Sequence, residues 1–324
     1  MSKRKHKQKK KVLFFILLLI VGIICYFNKD FYIFVKDNVI EPFTKEIDKQ
    51  SKKVSSKKSE VQEMSQSILG LDVYFIDVGQ ADAILIRNGE HNVLIDAGNN
   101  ADGKLLVDYF KSLNITSFDY VFATHPHEDH IGGMDEVIDN FKIKNFYMTN
   151  ESTTTRTYLN VLDALERKGM TFKIPKVNQN IKVGDSSFKV LYVGDNNEDI
   201  NESSLIIKLT YKDNIFLFNG DSSSNIEDML SEDLVKCDVL KLAHHGSSSS
   251  SSTKFLNMAS PKFAVISVGK NNDYGHPHSE TLKRLKKINA KIYRTDYLGT
   301  IIFHSDGSNI TVSNISTNTN GVEE

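Results

Sequence analysis

From Ile68 onward the chain is a succession of short apolar runs separated by polar turns. Leu71–Val78, Ala83–Arg87 and Asn92–Ile95 are rich in Ile, Leu, Val, Phe and Tyr and too short for helices, so they predict strands, with Asn88-Gly89 as a hairpin turn. Gly103–Leu113 places its apolar residues at helical spacing, Phe118–Ala123 returns to strand, and Met134–Phe141 and Arg156–Lys168 again predict helices.

The second half repeats this outline. Ser187–Val193, Ser204–Tyr211, the turn Lys212-Asp213-Asn214 and Ile215–Phe218 reproduce the strand–loop–strand–turn–strand order. The first copy ends in Asp96-Ala97-Gly98 and the second in Asn219-Gly220-Asp221, each an aspartate at the end of an apolar strand, where functional residues gather. Helices over Asn225–Leu230 and Ser279–Ile288 then alternate with strands over Val239–Leu242, Phe263–Ser267 and Lys291–Arg294. Thr300–His304 and Asn309–Val312 close the pattern as a hairpin. An α/β fold built from two similar halves is expected.

The N-terminal part reads differently. Seven Lys or Arg residues stand in the first eleven, and Val12–Phe27 follows without a charge. That run is short beside the roughly 17–25 residues of a usual span, but Phe31–Val35 prolongs its apolar character. An uncleaved, single-pass membrane anchor is expected; a cleaved signal peptide is the alternative, although no A-x-A-like site follows. The positive-inside rule then makes residues 1–11 a basic cytoplasmic tail and puts the remainder at the cell surface, or secreted if the segment is removed. Residues 28–66, Ser- and Lys-rich, predict a solvated stalk, residues 67–313 the globular domain and residues 314–324 a polar, flexible tail. Two cysteines, one in the apolar segment, exclude an internal disulfide framework.

The formal net charge is −1, so outside its basic tail the chain is acidic. Such a domain lacks the Lys/Arg excess behind non-specific polyanion binding, and bound cations would offset its charge locally. The place for them is Thr124-His-Pro-His-Glu-Asp-His130. His125, His127, Asp129 and His130 offer imidazole and carboxylate donors on one short loop, the set preferred by Zn2+ and similar ions. Alternate positions can aim His125 and His127 together, with Asp129 and His130 at a neighbouring point.

This loop resembles the H-x-H-x-D-H signature of the metallo-β-lactamase fold, an αβ/βα four-layer sandwich with its metals at one sheet edge. YFIDVGQADAILI, LIDAG, NESSLIIKL, FNGD, LKLAHHGSSSSSS and ISVGKNNDYGHPHSET are more narrowly similar to the extracellular hydrolase domain of ComEC-type competence (DNA-uptake) proteins and their stand-alone relatives, over about residues 69–313. The resemblance implies that His125 and His127 bind a first metal, Asp129 and His130 a second, and that Asp221 bridges them. One of His244 and His245 completes the second site, and Asp96 orients a ligand histidine. Many relatives have a further histidine before the bridging aspartate. Here none occurs between Ile131 and Ala243, and Asn201 lies in the corresponding region. One metal or two therefore remain open, with Mn2+ credible beside Zn2+. His276 or His278, in Tyr274-Gly-His-Pro-His278, either binds substrate or donates a proton or is an ordinary hydrogen-bonded loop histidine, and Ser247–Ser252 either offers hydroxyls and backbone N–H groups to a phosphate or is a flexible run.

These residues imply a metal-dependent hydrolase. Asp129, Asp221, His245, His276 and His278 are the candidate catalytic residues, with metal-activated hydroxide as nucleophile. The expected substrate is a phosphodiester, single-stranded DNA or a cell-envelope polymer such as phosphorylcholine-decorated teichoic acid. A lactamase or lactonase, or a non-catalytic binding protein, follows less directly. The single apolar segment gives no multi-span channel of the kind that accompanies DNA import.

Overall fold

The computed structural model of the chain describes residues 70–194 and 199–315. The first half runs β1 (Leu71–Phe75), β2 (Ala83–Asn88), β3 (His91–Ala97), α1 (Gly103–Ser112), β4 (Ser117–Phe118), β5 (Tyr120–Ala123), α2 (Glu128–Ile131), α3 (Met134–Asn140), β6 (Lys142–Ile143), β7 (Phe146–Met148) and α4 (Arg156–Arg167). The second half begins with β8 (Asn180–Val183), β9 (Ser186–Tyr192), β10 (Ile206–Tyr211), β11 (Asn214–Phe218), α5 (Ser224–Glu227) and α6 (Glu232–Val235). It continues with β12 (Val239–Lys241), α7 (Thr253–Ala259), β13 (Phe263–Ile266), α8 (Ser279–Lys287), β14 (Lys291–Arg294), α9 (Thr295–Leu298), β15 (Thr300–Ser305) and β16 (Ile310–Ile315).

Two seven-stranded sheets result, ordered β16-β15-β1-β2-β3-β5-β7 and β14-β13-β12-β11-β10-β9-β8. The halves correspond. In each, three strands pair antiparallel and the third then pairs parallel with the next. Alternation along the strands explains the layers. Val73, Phe75, Ile84 and Ile95 pack against Phe188, Leu209, Phe216 and Phe218 of the other sheet. Their neighbours Tyr74, Leu85 and Leu94 face helix residues Leu106, Phe110, Val137 and Val161. On the far side Leu217 and Leu240 lie under Phe255, Leu256 and Leu285. This is the αβ/βα sandwich, with strands apolar on both faces because both are covered.

Several boundaries differ from the sequence expectation. β1 stops at Phe75, not Val78, because the chain turns at Gly79 (φ +70°) and sends the Asp82 amide to Asp129 O at 3.0 Å. The helix expected over Asn225–Leu230 is only Ser224–Glu227, with Glu227 buried. The closing strand runs on to Ile315, paired with Thr300. β7, β8, α6 and α7 had no clear sequence signal; α7 begins inside the serine run, capped by Ser252 Oγ accepting from Phe255 N at 3.0 Å. The expected anchor over Val12–Phe27, the stalk over residues 28–66 and most of the tail lie outside the described residues. Among the described residues no helix is long and apolar enough to cross a membrane.

Candidate metal centre

Four donors converge where the two halves meet. Asp129 and His130 come from α2, Asp221 from the turn after β11, and His245 from the turn after β12; their ligand atoms all lie within 4.8 Å of one another. His130 Nε2 is 3.2 Å from Asp221 Oδ1, and His245 Nε2 is 3.1 Å from Asp129 Oδ2 and 3.7 Å from Asp221 Oδ2.

The backbone is built to hold them. Gly132 follows α2 directly, and a Cβ there would collide with the Asn99–Asn100 backbone, so only glycine lets the loop close on β3. Asp96 (φ +59°), His244 and His245 (both φ +51°) all sit in the left-handed region. Each such residue stores about 1–3 kcal/mol of strain, which the surrounding structure must sustain.

Hydrogen bonds fix the imidazoles. Asp96 Oδ2 accepts from His130 Nδ1 at 2.8 Å and is itself held by the Thr124 hydroxyl at 2.7 Å. Ser267 O accepts from His245 Nδ1 at 2.9 Å. Both histidines therefore turn Nε2 toward the cluster, where it offers a lone pair to a cation or, without one, carries a proton toward the carboxylates. His130 Nε2 and Asp221 Oδ1 are buried and face each other at 3.2 Å, with no other hydrogen-bond partner among the described residues. Buried polar atoms are rarely left so, and a divalent cation is the partner that suits two carboxylates and two imidazoles.

Electrostatics agree. Burial raises Asp221 and Asp129, but His130 and His245 outweigh it and hold both carboxyls below their ordinary range. Burial likewise opposes charge on His130, yet Asp221 and Asp96 keep it well above the usual imidazole value. Burial raises the Asp96 carboxyl despite His130. The cluster is thus arranged to attract positive charge.

His125 and His127 stand beside this group. Their rings are 4.8 Å apart, with Nε2 of one 3.0 Å from Nδ1 of the other, and His125 lies 4.1 Å from His130. Ser204 links the halves here: its hydroxyl lies 3.3 Å from His125 Nδ1 and accepts from Asp221 N at 3.0 Å. Burial and His130 hold His125 well below the usual imidazole value. Asn201, on the turn Ile200–Ser203, has a buried Oδ1 with no hydrogen-bond partner among the described residues. Of the adjacent pair, His245 enters the four-donor cluster, while His244 Nε2 stays 3.9 Å from Asp221 and is part-exposed.

A sequence profile of the Metallo-beta-lactamase superfamily matches residues 76–270, more than half of the chain. The chain belongs to the metallo-beta-lactamase superfamily. Its similar proteins include ComE operon protein 3 of Bacillus subtilis, 28% identical over 251 residues, covering 71% of this chain and 32% of that protein. Competence protein ComA of Neisseria gonorrhoeae is 27% identical over 235 residues, covering 70% and 31%. The chain thus spans about a third of the length of these relatives. Among solved structures, the metallo-beta-lactamase fold protein YhfI of Bacillus subtilis superposes with a TM-score of 0.51 at 12% identity, over 73% of this chain and all of that one. It shows the shared fold.

Around this superfamily site the rim is ordered. His276 precedes a cis proline, lies 5.5 Å from His244 and 6.3 Å from His245, and its Nδ1 is 3.4 Å from the Gln80 amide. Burial and then His244 push His276 down to about 4, so it is neutral at pH 7. His278 Nδ1 accepts from Ser248 N at 2.8 Å, which leaves its proton on Nε2.

The serine run is not the open phosphate rim the sequence suggested. Ser247, Ser250 and Ser251 are buried, Ser250 Oγ donates to Ser222 O at 2.8 Å, and Arg284 binds the carbonyls of Ser248, Ser250 and Ser251. Glu227 ties the same loop down, accepting from Asn219 Nδ2 at 2.7 Å and from Ser251 N at 2.5 Å. Cys237 is a buried thiol near Ala259 O, as a core residue should be.

Two charged residues were missed. Asp82 and Lys241 form a fully buried pair at 2.7 Å, and Asp82 Oδ1 lies 3.5 Å from His245 Nδ1. The available signal was a lysine inside the apolar run Val239–Leu242.

Burial raises the Glu227 carboxyl to about 8. An unfolded glutamate titrates near about 4.3, so the folded state holds the extra proton between these values. Stability is full below the lower value and falls as pH rises toward the upper. Metal-stripped protein should therefore lose several degrees of melting temperature between about pH 5 and pH 8.5, with a flatter curve for Glu227→Gln. Parallel curves for the two proteins would contradict this.

Proposed function

We propose that the chain is a metal-dependent phosphodiesterase acting on single-stranded DNA. The observation that carries the reading is the pre-assembled group Asp129, His130, Asp221 and His245, whose donor atoms already converge. A bound divalent ion, Zn2+ or Mn2+, supplies Lewis acidity and a water of lowered pKa. The chain's own residues do the rest. Asp221 joins the donors of the two halves. Asp96 and Ser267 O hold the histidine tautomers. His276, neutral and with its proton on Nε2 when Nδ1 accepts from Gln80, can donate a hydrogen bond to a phosphoryl or leaving-group oxygen. The similarity to competence proteins supports DNA as the substrate.

In the same reading Val12–Phe27 tethers the domain at the outer face of the cell membrane, or is cleaved to secrete it. The acidic charge of the chain outside its basic tail favours a second reading, a phosphoesterase of cell-envelope polymers.

Purified chain should hydrolyse single-stranded DNA when supplied with Zn2+ or Mn2+, and lose that activity on chelation. Cleavage of a choline phosphodiester but not DNA would move the assignment to the envelope. Protein that takes up no metal and cleaves neither would end the enzyme reading.

A further inference from the structure

The loop from Gly269 to His278 follows β13 and carries an aromatic ring that neither the core nor the donor cluster uses. Tyr274 is 68% exposed. Its ring lies nearly parallel to that of His276, with centroids 5.6 Å apart and planes at 22°. His276 stands in turn against His244 and His245, so Tyr274 is two ring-to-ring steps from the metal centre.

The loop is held in place. Asn272 Nδ2 donates to Gly269 O and His276 O at 2.9 and 2.7 Å, and Asn272 Oδ1 accepts from His276 N at 3.0 Å. Gln80 Oε1 accepts from Gly269 N at 3.0 Å. A tyrosine pinned in the open beside a reactive centre differs from a surface residue scattered at random. Lys270, on the same loop, is exposed and has no ion-pair partner among the described residues.

We propose that the stacked Tyr274–His276 pair is a base-stacking subsite, which holds one nucleobase of a single-stranded nucleic acid beside the metal centre and so brings the adjoining phosphodiester over the donors. The proposal rests on the phosphodiesterase reading above. Stacking suits an acidic domain, because it depends on the π-face of a base and not on phosphate charge. It also suits the geometry. A quaternary ammonium is held by several rings around it, whereas Tyr274 offers one platform backed by an imidazole.

The test is binding by the full chain with metal removed by a chelator, so that nothing is cleaved. The probes are a short fluorescein-labelled oligothymidylate and an abasic oligonucleotide of the same length. Wild type should bind the abasic probe about tenfold more weakly. Tyr274→Ala should bind oligothymidylate only as well as the abasic probe, and Tyr274→Phe within about twofold of wild type. Circular dichroism and unchanged metal uptake would show that the variants fold.

Equal affinity for the two probes, unchanged affinity in Tyr274→Ala, no binding of either probe, or displacement by choline but not thymidine would each overturn the subsite. Base-dependent binding without hydrolysis on adding metal would leave the subsite standing and end the phosphodiesterase reading. Hydrolysis of DNA with a kcat/KM indifferent to Tyr274→Ala would do the reverse.

Discussion

Asp221→Ala is expected to lower kcat by about 10²–10³-fold and to leave the purified protein with less bound metal. The carboxylate lies 3.2 Å from His130 Nε2 and 3.7 Å from His245 Nε2, one imidazole from each half. Its backbone is set by Ser204 Oγ, so it is fixed before any ligand arrives. Alanine removes the group that joins the donors and leaves His130 with Asp96, Asp129 and Asp82 as its carboxylate neighbours. Asp221→Asn keeps the shape and one oxygen but loses the charge, and should fall between the two. Metal content by mass spectrometry and turnover should drop together. A variant that retained full metal stoichiometry and near-wild-type turnover would show that the site lies elsewhere.

Lys241→Ala should cost about 3–5 kcal/mol, because it strands a buried carboxylate. Lys241 and Asp82 are 0% and 2% exposed, at 2.7 Å, and the lysine also donates to Leu242 O. For a domain of this size the loss corresponds to a melting temperature lower by roughly 10 °C, measured without metal. Metal affinity should fall about 10–100-fold as well, since Asp82 borders His245 Nδ1 and its backbone amide binds the Asp129 carbonyl. The double variant Asp82→Asn, Lys241→Met should recover most of the stability. A single variant that melts within a degree or two of wild type would show that the pair contributes little.

Much of this was legible in the sequence, for identifiable reasons. Strands buried on both faces leave continuous apolar runs, so the repeated strand order could be read directly, and with it the paired aspartates at the two strand ends. His125, His127, Asp129 and His130 stood out as candidate donors because they sit within a few residues of one another; Asp129 and His130 enter the four-donor cluster, while His125 and His127 stand beside it. His244 and His245 could not be separated, because the choice depends on two consecutive left-handed residues and on Ser267 O, a backbone atom just past the end of β13. The serine run misled for a related reason. A hydroxyl that bonds to a carbonyl across the fold looks, in one dimension, like one that faces water. Asp82 and Lys241 were obscured by distance along the chain, since neither implies a charge pair until the two sheets face each other.

The donors come from both of the topologically similar halves, with Asp129 and His130 from the first and Asp221 and His245 from the second. A cation there would act as a clasp across the seam, and its binding free energy would be counted in folding as well as in chemistry. At a free concentration about a hundredfold above its dissociation constant, such an ion adds about 2.7 kcal/mol to stability. Cation supply would then set how much folded chain persists as well as how fast each molecule turns over. Substitutions far from any substrate that merely loosen the seam would register as loss of enzyme activity.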